Sequence, residues 1–165
     1  MRDAFGGAFM IQIFIVFILI YICFTAMSLN YAKAFKVKNA VIEYLENNEI
    51  ADIENINAED MMTMTDYFNE EFVGKKGYNV SEYKVCENIT YDIQEKKYCH
   101  PSGIIIKETG SASNTGGVYY TVSTYASWGM PFLNKLLQLN GNNKQEDIIT
   151  GLWKISGQTR LIFNE

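Results

Sequence analysis

Cys86, Cys99 and His100 are the residues best equipped for chemistry in this chain of 165 residues. Cys86 and Cys99 enclose residues 87–98. In an oxidising compartment the two thiols join, and closing a loop of about 15 residues stabilises a domain by roughly 3 kcal/mol in the chain-entropy model. In a reducing compartment they stay two free thiols; the disulfide is the favoured expectation. His100 stands between Cys99 and Pro101. A Cys–His neighbour pair invites a reading as nucleophile and base, or as metal ligands. Neighbours in an extended chain point to opposite faces, so a turn histidine without a catalytic role is expected instead. Cys23 falls inside an apolar segment and reads as a small apolar residue, which leaves too few cysteines for a Cys-rich zinc site. The chain has no phosphate-binding loop, serine elbow or zinc-protease helix. The acidic residues from Glu49 to Asp60 and at Glu70-Glu71 lack the Gly-turn loop of a calcium site and read as a solvated face. No catalytic residue, cofactor or metal is therefore expected, and the chain reads as a non-enzyme.

The element that dominates the sequence is an apolar run from Ala8 to about Leu29, in which Gln12 is the most polar side chain. A bilayer core needs about 20 helical residues to cross it, and this run is long enough. It exceeds the apolar core of a usual cleaved secretory signal, and no clean small-x-small cleavage site follows, so a retained anchor is expected. Mean hydropathy is −0.08 despite the anchor, so the remainder must be a polar, soluble-type sequence. Net charge is −5, with no basic cluster beyond Lys33, Lys36 and Lys38, which argues against nucleic-acid binding. Orientation is contested. Lysine flanks favour a cytoplasmic C-terminal part, whereas a Cys86–Cys99 disulfide favours the outside. The short tail ahead of the helix carries little topological weight, so an extracytoplasmic domain is favoured.

Helical spacing continues beyond the apolar run. Ala34, Val37, Val41 and Tyr44/Leu45 form a stripe, with Lys36, Lys38, Glu43 and Glu46 between them and a stop at Asn47-Asn48. A short acidic helix follows, capped by Asn57, with Met61, Met64/Thr65, Phe68 and Phe72 as its apolar stripe and Gly74 at its end. Strands are expected at Tyr83-Lys84-Val85, at Gly103 to Glu108, at Val118 to Ser127 and from Ile148 to Phe163, the last bent or bulged at Gly151 or Gly157. Ser111 to Gly117 and Asn140 to Asn143 read as turns, and Pro131 to Leu139 as a short helix. The expected fold class is α+β. A long N-terminal transmembrane helix packs its upper half on a small, mostly antiparallel sheet with one or two short helices. The expected divisions are a leader or tail at 1–7, a transmembrane helix at 8–29, a helix extension at 30–48 and an extracytoplasmic α+β domain at 49–165.

Two separated stretches resemble one family. Ala4-Phe5-Gly6-Gly7-Ala8-Phe9-Met10-Ile11-Gln12 is similar to the leader and cleavage zone of type IV-like prepilins. Such prepilins have a Gly before the cut and Glu at the fifth mature position. A cut after Gly7 makes Ala8 the first residue and Gln12 the fifth, so Gln replaces the usual Glu. Val118 to Tyr125, Met130-Pro131-Phe132-Leu133 and Ile155-Ser156-Gly157-Gln158-Thr159 resemble the TadE-like minor pseudopilins of tight-adherence (Tad) pilus systems. The resemblance spans about a third of the chain, and residues from Asn47 to Thr109 lie outside it. It implies a pilin-like structural subunit of a pilus or secretion filament. It also implies that a prepilin peptidase processes the chain and that the N-terminal helix passes from membrane lipid to sister subunits. A permanently anchored extracytoplasmic binding module, presenting its strands or the Cys86–Cys99 loop, is the competing expectation.

Overall fold

A helix that is apolar all round at one end and striped at the other can bury only the striped end against its own chain. The computed structural model of the protein has this form. It describes residues 2–50, 53, 58–112, 117–129 and 150–163. Helix α1 runs unbroken from Arg2 to Asn47, roughly 70 Å at 1.5 Å per residue. Ala34, Val37, Val41 and Leu45 are fully buried, whereas the side chains from Phe9 to Phe17 are all exposed. Each buried Val or Leu contributes roughly 1.5–3 kcal/mol.

The buried stripe packs on an antiparallel five-stranded meander of order β1-β2-β3-β4-β5. The strands are β1 Thr90–Asp92, β2 Lys97–His100, β3 Ile104–Ala112, β4 Gly117–Gly129 and β5 Thr150–Gln158. Strand β4 carries the alternation expected for it. Tyr120, Val122, Thr124 and Ala126 are buried beneath α1, and Tyr119, Thr121, Ser123 and Tyr125 point to the other face. Helix α2, Ala58–Tyr67, continues as a π-helical stretch over Phe68–Lys75. The wider turn brings Tyr67, Phe68 and Phe72 into mutual ring contact. Tyr67 stacks on Tyr44 of α1 with centroids 4.5 Å apart, and Phe68 meets Tyr98 of β2 edge-on. The two helices therefore form one layer over one face of the sheet, and the α+β class holds.

Several local expectations differ. Tyr83-Lys84-Val85 is not a strand: Ser81–Tyr83 is a 3-10 turn, and Lys84 takes a left-handed φ of 49°. The Asn79 side chain accepts the Ser81 N–H at 2.8 Å, and this local bond favours the turn. Strands β1 and β2 were not expected. Their turn is built by Asp92, whose Oδ1 accepts the N–H groups of Gln94 and Glu95. Strand β5 ends at Gln158, and its pairing with β4 runs without a bulge through Gly151 and Gly157. The sheet's irregularity lies in β3, between Glu108 and Gly110. Ser111 and Ala112 extend β3 rather than opening a turn. The Asn57 cap, residues 113–116 of the turn, the Pro131 to Leu139 helix and the Asn140 to Asn143 turn lie outside the described residues.

Candidate functional site

Cys86 and Cys99 form a disulfide, with Cα atoms 5.9 Å apart. Cys99 points away from α1 and packs with Ile105 in a small cluster on the sheet's outer face, which Val85 and Tyr125 border. The loop that it closes contains the β1–β2 hairpin, so the bond staples a two-stranded edge that is too short to hold itself. His100 points the other way, as the extended backbone requires. It is not a turn residue but the buried last residue of β2, edge-on to Phe68 at 6.0 Å. Ser102 N–H donates to Nδ1 at 3.2 Å, and Ser102 Oγ lies 2.7 Å from the same nitrogen. That nitrogen is therefore the acceptor and the proton resides on Nε2. Burial holds the imidazole pKa below its ordinary value. The backbone thus directs Cys99 and His100 to opposite faces and does not assemble them into one site. No group of three or more His, Cys, Asp or Glu residues suited to a metal exists among the described residues.

The feature with the largest functional content is the free end of α1. From Phe9 the helix is long and apolar enough to cross a membrane, with mean hydropathy 2.6 in its most apolar window, and none of that window is covered by the rest of the chain. Two hydroxyls inside this stretch are satisfied by the helix itself. Thr25 Oγ1 donates to the Tyr21 carbonyl and Ser28 Oγ to the Phe24 carbonyl, each at 2.9 Å. This is what a hydrocarbon environment demands. Gly7 and Gln12, two of the residues singled out for processing, lie on this exposed stretch. The backbone is helical through Gly6, Gly7 and Ala8.

Contact with the sheet begins one residue after the apolar run ends. Asn30 Nδ2 donates to the Ser127 carbonyl at 3.2 Å, and the buried Thr124 hydroxyl donates to the Ala34 carbonyl at 3.0 Å. At the far end Glu46 accepts from both the backbone N–H (2.8 Å) and Nε (3.1 Å) of Arg160. Lys38, one of the charged residues set between the stripe positions, is only 8% exposed, and its ammonium sits 4.2 Å from the Phe35 ring centroid. Gly157 makes room for it: a Cβ there would come within 3.0 Å of Lys38 Nζ and of Ile42 Cδ1. Tyr78 fills the gap where β3 begins, its hydroxyl 3.4 Å from the Gly103 carbonyl. Its hydroxyl accepts the Tyr125 N–H at 2.8 Å and lies 3.1 Å from the Tyr125 carbonyl. Burial pushes its pKa up to about 12, so it stays a neutral donor and acceptor. Only the pairing register of β4 reveals that role.

Compared with known protein families, with curated proteins and with solved structures, the chain has no match in any of the three.

Proposed function

We propose that the protein is a membrane-anchored, pilin-like structural subunit, a minor pseudopilin of a Tad or type IV-like pilus or secretion filament. One observation carries this reading. A single unbroken helix presents an uncovered apolar surface along its first half and is clamped to a head domain along its second. Such a helix has two environments that satisfy it: lipid before assembly and sister helices afterwards. The self-satisfied Thr25 and Ser28 suit both. The resemblance of residues 4–12 and of the β4 and β5 segments to Tad-type pseudopilins supplies the filament. The head is extracytoplasmic in this reading, in keeping with the Cys86–Cys99 disulfide.

The test uses the protein in its native membrane. N-terminal sequencing is expected to return a mature chain beginning at Ala8. Mild oxidation is expected to cross-link Cys23, the free cysteine among the described residues, to a sister helix. A chain that retains Arg2 through Gly7 and yields no Cys23 adduct would overturn the filament reading and leave a permanently anchored binding module.

A further inference from the structure

The point where α1 leaves the head holds an unassigned groove of about 610 Å³. Ala26, Leu29, Lys33 and Lys36 of α1 line it, and Lys76 faces them from just beyond the π-helical stretch. Three of the residues that line this space are lysines and none is acidic. Lys76 shares part of its charge with Glu71 at 3.6 Å, whereas Lys33 and Lys36 are exposed and make no ion pair among the described residues. The groove is ordered along the helix axis. Ala26 and Leu29 belong to the apolar run, and Lys33 lies about 6 Å further on, one helical turn toward the head. An acyl chain beneath its phosphate has the same order.

The head's own surface marks the same level. Trp128 and Trp153 pair with centroids 6.3 Å apart at the end of the sheet that Asn30 contacts. Trp153, Tyr31 and Phe35 are each more than two-fifths exposed. Trp and Tyr with flanking Lys are the side chains that settle at the boundary between hydrocarbon and water. We propose that the groove binds the headgroup phosphate of an anionic phospholipid in the bilayer that α1 enters, with the acyl chain along Ala26 and Leu29. The head then rests on the membrane surface. Anionic charge is the complement that three lysines without an acidic neighbour in the groove select. The inference rests on α1 crossing a membrane and is independent of the filament reading.

The full-length chain in detergent micelles, stripped of lipid, is titrated with phosphatidylglycerol, phosphatidylcholine or inorganic phosphate and read by native mass spectrometry. Retention of phosphatidylglycerol is expected to exceed that of phosphatidylcholine by at least about tenfold, with no retention of phosphate. Lys33→Gln, Lys36→Gln and Lys76→Gln are each expected to weaken it about fivefold, and the triple variant to abolish the preference. Lys107→Gln, on the sheet's outer face, is expected to leave it unchanged. Equal retention of both lipids, retention of free phosphate, or an unaltered triple variant would each overturn the lipid site. Carbonate extraction of native membranes separates the two layers of the inference. Release of the chain would overturn the membrane reading itself, whereas a retained chain without lipid preference would overturn the lipid site alone.

Discussion

His100 is a base held where protonation is costly. Nδ1 already accepts the Ser102 N–H, and Nε2 is buried with no hydrogen-bond partner among the described residues. Its folded pKa is depressed by burial, so the unfolded chain, titrating near pH 6.5, takes up the proton first. The stability that neutral His100 permits is complete above that pH and is lost as pH falls through it. The thermal midpoint of the protein should therefore decline between about pH 7 and pH 5.5. His100→Phe should lower the midpoint at pH 7, by stranding the Ser102 N–H, yet flatten its slope in that window. A wild-type midpoint that holds steady across it would contradict the assignment. Sequence reasoning placed Cys99 and His100 on opposite faces through the period of an extended chain. It took His100 for a turn residue because nothing local signals that Phe68 and Tyr98 enclose it.

At the scale of elements, the fit of α1 onto β5 depends on a missing side chain. Gly157 lies opposite Val122 on the face that α1 covers. Gly157→Val should therefore cost about 1–3 kcal/mol in urea unfolding, since it overpacks the site against Ile42 and Lys38. Gly157→Ala should cost less, because the ends of both neighbours are flexible. Equal stability of the Val variant and the wild type would show that the helix does not seat there. The sequence suggested a bulge at this glycine; its actual use is close approach of a helix, which the strand's own period cannot express. Strand β4 was legible because it alternates over many residues, and the upper half of α1 because its stripe repeats at helical spacing. Strands β1 and β2 have 3 and 4 residues, too few for a period to stand out, and their pairing is held by Asp92 and the disulfide.

For the molecule as a whole, the boundary between rod and head lies at Asn30. A chain starting at Asn30 keeps the bonds to Ser127, Thr124 and Arg160 and every fully buried residue of α1. It should be soluble without detergent and melt as the full chain does. A chain starting at Ala40 loses Ala34, Val37 and Lys38 from the interface and should not fold cooperatively. Size-exclusion chromatography and thermal melts of both chains check this. Aggregation of the Asn30 chain would mean that the apolar half of α1 is needed by the head, although none of its most apolar window is buried.

The sequence by itself determined the long helix, the place where its character changes, the α+β class and the alternation of β4, and it favoured the pairing of Cys86 with Cys99. Each of these rests on local chemistry: an apolar run, a repeat at a fixed period, or two thiols in a short loop. Only the tertiary structure decided the burial of Lys38 and His100, the bridge made by Tyr78, the clearance at Gly157 and the meeting of Lys76 with Lys33 and Lys36. These depend on residues distant in sequence arriving at one place. A side chain carries no mark of the neighbour that the fold will bring to it, and the charge of three lysines becomes a binding groove only when two helices set them side by side.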